Sequence, residues 1–121
     1  MTLKEVINND ICNSDIAEII GEKIYYLQKL DDTENDIYIE WRFINKGYSE
    51  YAGDKPICSE ALIQIDIFSK SNNLYKYNKL IEIVVSSLNE KEYDYVDEEE
   101  QYENDTELWH FGVRFFKKII N

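Results

Sequence analysis

Glu60-Ala-Leu-Ile-Gln-Ile-Asp-Ile-Phe-Ser69, then Lys70-Ser-Asn-Asn73, then Leu74-Tyr-Lys-Tyr-Asn-Lys-Leu-Ile-Glu-Ile-Val-Val-Ser-Ser-Leu88, is the stretch that decides the fold. Its first part alternates, which is the period of a strand. Ala61, Ile63, Ile65 and Ile67 point to one side; Leu62, Gln64, Asp66 and Phe68 point to the other. Gln64 and Asp66 keep the second side partly wet, so the isoleucine side is the core side. The chain turns at residues 70–73, where Ser71, Asn72 or Asn73 can accept from the free amides of a helix start. Leu74, Tyr77, Ile81, Val84, Val85 and Leu88 then recur at helical spacing, widened by Leu80 and Ile83. A helix this apolar needs cover, and the isoleucine side beside it supplies it.

The flanks add elements of the same kinds. Thr2-Leu-Lys-Glu5 fits a capping box and starts a short helix to Asn8. A second helix runs from Ser14 or Asp15 to Gly21, whose missing Cβ suits a helix end; the two read equally as one kinked helix. Ile24, Tyr25 and Tyr26 suggest a short extended piece, and residues 31–36 a polar turn. Ile37-Tyr-Ile-Glu-Trp-Arg-Phe-Ile44 alternates cleanly and reads as a strand. Residues 45–59 carry Gly47, Gly53 and Pro56 and read as a long loop. Glu92-Tyr-Asp-Tyr-Val96 suggests a short strand, residues 97–107 an acidic, solvated run, and residues 108–119 a last strand with Trp109, Phe111, Val113 and Phe115 on one side. The fold class is α+β: a single domain over residues 1–121, with a mostly antiparallel sheet of three to four strands and an N-terminal helix and one central helix packed on one face.

Composition narrows function. The 13 basic and 25 acidic residues leave a net charge of −12, which argues against gripping phosphate backbones. It suits a basic protein partner or mimicry of nucleic acid. Cys12 and Cys58 form no metal-binding spacing and read as small buried or half-buried side chains. No apolar run approaches the roughly 18 residues of a membrane span, and Asn8-Asn9-Asp10 interrupts any signal-peptide pattern.

Motifs that carry chemistry are absent: no phosphate-binding glycine loop, no nucleophile elbow, no metal spacing in the acidic run. His110, the one histidine, would need a nucleophile and an orienting acid to act as a base, and the sequence points to neither. The expectation is a non-enzyme without cofactor or metal. The 10 tyrosines favour protein interfaces, since the ring packs while the hydroxyl stays wet.

Three phrases go further: Gly21-Glu-Lys-Ile-Tyr25, Glu60-Ala-Leu-Ile-Gln-Ile-Asp-Ile-Phe-Ser-Lys70, and Tyr102-Glu-Asn-Asp-Thr-Glu-Leu-Trp-His110 followed by Val113-Arg-Phe115. In this order and spacing, over residues 14–118, the chain resembles the tail completion proteins of long-tailed bacteriophages and prophages, also called tail-to-head joining or tail terminator proteins. It departs from them in lacking a proline near Asp36 and in its heavier acidic segment. The resemblance implies a structural protein that forms a ring, typically a hexamer, at the head-proximal end of the tail tube, made in the bacterial host cytoplasm and carried in the virion or a tail-like particle. It implies as partners further copies of itself, the tail tube protein and the head connector or stopper protein, with DNA passing through the lumen ungripped and no membrane.

Within that expectation residues 45–59 are the candidate interface. The loop is longer than the roughly two to five residues a hairpin needs. Tyr48, Tyr51 and Ile57 can bury area on a neighbour, and Lys46 and Lys55 can meet its acidic surface. An acidic inhibitor mimicking nucleic acid is the alternative, and a small enzyme using His110 a third reading.

Overall fold

The alternation of Ile63, Ile65 and Ile67 builds the middle of a sheet rather than its margin. In the computed structural model, which describes residues 2–28, 36–52 and 55–120 and only the backbone at 48–52, 55–58 and 120, the elements follow in the order α1 (Leu3–Ile11), α2 (Ser14–Ile20), β1 (Ile24–Tyr26), β2 (Ile37–Ala52), β3 (Lys55–Lys70), α3 (Leu74–Glu90), β4 (Asp94–Glu103) and β5 (Leu108–Ile120). The five-stranded sheet has the order β1-β2-β3-β5-β4. β1 runs parallel to β2; the other pairs are antiparallel. The class is α+β as the pattern predicts, but the sheet is mixed and has five strands instead of three to four, and the described residues contain three α-helices.

The core lies where the helices cover one face. Trp41 pairs with Ile65 and Ile65 with Val113, and all three are fully buried. Each such large side chain taken from water contributes about 1.5–3 kcal/mol. α3 offers Tyr77, Leu80, Val84 and Leu88 to this row; of the predicted stripe, Leu74, Ile81 and Val85 are half-buried at its margin, while Leu80, expected at the margin, is buried at its centre. Polar contacts set the N-terminal helices against it. The Trp41 indole donates to Asn8 Oδ1 at 3.0 Å, Tyr93 Oη donates to Asp10 Oδ2 at 2.7 Å, and Asn13 Nδ2 donates to Ser87 Oγ at 2.7 Å.

The helix ends follow local chemistry. Thr2 Oγ1 accepts from the Glu5 amide at 3.1 Å, and Asn13 caps α2 through the Asp15 and Ile16 amides. α1 runs on to Ile11, so the two helices are separate and break at Cys12 and Asn13. Gly21 ends α2 at φ 63, a left-handed conformation that costs glycine little. The expected side-chain cap on α3 is not made: a 3-10 turn over Ser71–Asn73 leads the chain in, and Asn73 makes no side-chain cap bond.

Two predicted irregular segments are strands. β2 and β3 continue through most of residues 45–59, with register shifts between Phe43 and Asn45 and around Glu50. Bulges of this kind absorb an extra residue without ending the ladder. Pro56 pairs with Tyr51 on one side, while β5 reaches only Cys58 on the other; a proline is tolerated where a strand lacks a second neighbour. The acidic run is the second case. Asp94–Glu103 is β4, paired along β5, because backbone ladders do not require apolar side chains when the side chains stay in water. The polar turn at residues 31–36 falls outside the described residues except for Asp36.

Candidate functional site

The sheet face away from the helices is polar, and the ladder arranges it in cross-strand rows. Tyr38, Phe68, His110 and Gln101 form one row, Glu40, Asp66, Gly112 and Glu99 the next, and Arg42, Gln64, Arg114 and Asp97 the third. Directly opposed residues share a face and touch. Gly112 leaves the middle row open, and a cavity of about 270 Å³ lies there. A Cβ on Gly112 would stand 3.0 Å from Asp66 Oδ1, so the missing side chain is what lets Asp66 turn toward its partners.

Asp66 is the centre of the network. His110 Nε2 lies 2.7 Å from its Oδ1, and Gln64 Nε2 donates to the same oxygen at 2.8 Å. Arg114 Nε donates to Gln64 Oε1 at 3.1 Å. The imidazole stacks on Phe68 at 4.3 Å, and Phe68 stacks on Tyr38 at 4.9 Å. His110 Nδ1 is 3.6 Å from Glu103 Oε1. The hydrogen bond to Asp66 raises the His110 pKa above its ordinary value; burial opposes this, and the charges of Asp66, Glu103 and Glu40 add to it. Tyr38 is pushed up to about 12, first by burial.

The orienting acid that His110 lacks in the sequence is therefore Asp66, 44 residues away. The cavity wall carries no serine, threonine, cysteine or lysine among the described residues. What the arrangement does chemically is hold a proton between an imidazole and a nearly buried carboxylate. No group of three or more His, Cys, Asp or Glu suited to a metal occurs among the described residues.

Of the candidate interface residues, Lys46 is exposed, its ammonium 4.8 Å from the Phe43 ring centre. The side chains of Tyr48, Tyr51, Lys55 and Ile57 lie outside the described residues. Their backbones do not form a loop: Tyr48 pairs with Ser59, Tyr51 with Pro56 and Ala52 with Lys55. Past the end of β5 at Cys58 the two strands continue as a ribbon with no third strand among the described residues. Cys12 is a free, exposed thiol, not the buried or half-buried side chain expected; it sits in the break between α1 and α2. The Cys58 side chain lies outside the described residues.

No protein-family model and no curated protein matches the sequence. The fold does have a counterpart. A chain of a solved structure, "Virion of native gene transfer agent (GTA) particle", superposes with a TM-score of 0.69 over 98% of this chain and 95% of that one, at 6% identity. The two share a fold across nearly their whole lengths. Among the described residues no helix is long and apolar enough to cross a membrane.

Proposed function

We propose that this chain is a structural protein of a phage, prophage or phage-like particle, and that it forms a ring at the head-proximal end of the tail tube, ending tube growth and joining the tail to the head connector. The observation that carries the reading is the shared fold, end to end, with a chain of a gene transfer agent virion. The tail-completion phrases of the sequence point the same way, and they supply the finer role. The partners in this reading are further copies of the chain, six to a ring as in the family it resembles, the tail tube protein and the connector or stopper protein. DNA passes through the ring, and a net charge of −12 keeps the wall from gripping phosphates. The role asks for binding surfaces and no catalysis.

The ribbon formed by the far ends of β2 and β3 is the assembly element. A two-stranded hairpin is marginal in water by itself, so a ribbon kept beyond the sheet gains most from a neighbour that covers it. Mimicry of nucleic acid fits less well, because β4 gathers many of the carboxylates on one strand rather than spreading them at phosphate-like spacing. Electron microscopy of the protein mixed with tail tubes of its own particle tests the reading. Capped tube ends of uniform length are expected, and tubes that stay open and keep growing would overturn it.

A further inference from the structure

The sheet ends at β4, and its outer edge offers a row of backbone donors and acceptors without a strand partner among the described residues. Asp94, Asp97, Glu98, Glu99, Glu100 and Glu103 are among its 10 residues, and all but Glu103 are exposed. Among the described residues no lysine or arginine makes an ion pair with any of them; His110 reaches Glu103, and Glu100 and Glu98 accept from the Tyr77 and Tyr95 hydroxyls. Charge on an edge usually guards against pairing with other edges. A guard strand, however, has no use for apolar groups in water, and this one exposes Tyr95, Val96 and Tyr102 by 48%, 48% and 40%. Beside it, Ile81 and Val85 of α3 form with Tyr95 and Phe115 a mostly apolar hollow of about 370 Å³.

We propose that the β4 edge takes an extended, lysine- or arginine-rich segment of another protein as an added strand, with an apolar residue of that segment seated against Ile81, Val85 and Tyr95. Main-chain bonds to the edge supply affinity, and alternate side chains supply selection. Charge chooses the occupant. A second β4 would set carboxylates against carboxylates. On the far side of the sheet β1 is three residues long and carries no basic side chain, and the β2 edge that β1 leaves open beyond Trp41 sets only Arg42 and Lys46, with Glu50 among them, against the six carboxylates of β4. The partner is therefore a basic chain other than this one. This inference does not depend on ring formation.

The probe is a labelled peptide of alternating lysine and valine ending in phenylalanine, added to the intact protein at physiological salt. Saturable binding by fluorescence anisotropy is expected, with slowed amide exchange confined to residues 94–103. N-methylating alternate peptide amides keeps the charge and removes main-chain donors. It should weaken binding about tenfold or more, as should the exposed double substitution Glu98→Lys with Glu99→Lys, checked for fold by circular dichroism. Equal binding of the N-methylated peptide would reduce the interaction to bulk charge and overturn the proposal. So would protection elsewhere in the chain, no saturable binding, or self-association through β4 without peptide.

Discussion

His110 Nε2 lies 2.7 Å from Asp66 Oδ1 across the β3–β5 ladder, with Phe68 stacked on the imidazole. The bond favours the protonated ring, so the folded-state pKa is raised. The sign follows from linkage: the stabilisation is fully present below the unfolded value near 6.5 and is lost as pH rises through the folded value. The melting temperature should therefore fall as pH is taken from about 6 to about 9. The variant His110→Asn should flatten that part of the profile. Parallel profiles for the two proteins would show that His110 is not the group responsible.

Ile65 is fully buried between Trp41 and Val113. Ile65→Asp places an unpaired charge there and removes a packed side chain. Its cost should exceed about 4 kcal/mol, enough to unfold a domain of ordinary stability. Chemical denaturation measures it, and an unchanged midpoint would take Ile65 out of the core.

Glu107, in the turn between β4 and β5, has φ 58, and its amide donates to the Glu103 carbonyl at 2.8 Å. A side chain in the left-handed region costs about 1–2 kcal/mol that glycine avoids, offset in part by the larger entropy glycine loses on folding. Glu107→Gly should raise the melting temperature by a few degrees with the amide bond kept. A lower melting temperature would mean that the Glu107 side chain contributes more than its strain costs.

These sites differ in how far the sequence discloses them. The side-chain period reports which residues are buried, so Ile63, Ile65, Ile67, Trp41 and the α3 stripe were all legible. It does not report backbone pairing where side chains are polar or irregular. Gly47, Gly53 and Pro56 read as a loop because their propensities oppose strands, yet the β2–β3 ladder passes most of them with bulges. The part of β4 from Asp97 to Glu103 reads as a solvated run for the same reason: its side chains are largely in water while its backbone is paired. The His110–Asp66 pair needs the adjacency of β3 and β5, which no local pattern encodes. Its one trace was that Gln64 and Asp66, like His110 and Arg114, sit on the polar side of otherwise apolar strands.

A chain that assembled rings spontaneously would compete with correct tail termination. The isolated protein should therefore scatter light as a monomer or weak oligomer across a concentration series, with rings forming only on tube ends. The surface agrees with this: the charge of −12 sets like surfaces against each other until a partner supplies contacts. A stable hexamer at low micromolar concentration would contradict tube-dependent assembly.

The ribbon at the far ends of β2 and β3 gives the most direct test of assembly. Gly47 pairs with Glu60, so an Asn-Gly turn joining these two residues would close the hairpin in register. The main sheet would keep the pairing of Trp41 with Ile65 and Ile65 with Val113, and the ladder to β5 would lose only its last two steps, at Ser59 and Cys58. Thermal stability should then change little, since a two-stranded ribbon adds little to a covered sheet. Ring formation and head joining should be lost, because Tyr48, Tyr51, Lys55 and Ile57 go with the ribbon. A second variant, Lys46→Glu, keeps the ribbon and reverses one exposed charge at its base; it should weaken joining without abolishing it. Tail completion at normal yield by the shortened protein would make the ribbon a connection only, and would move the ring interface to the sheet edges.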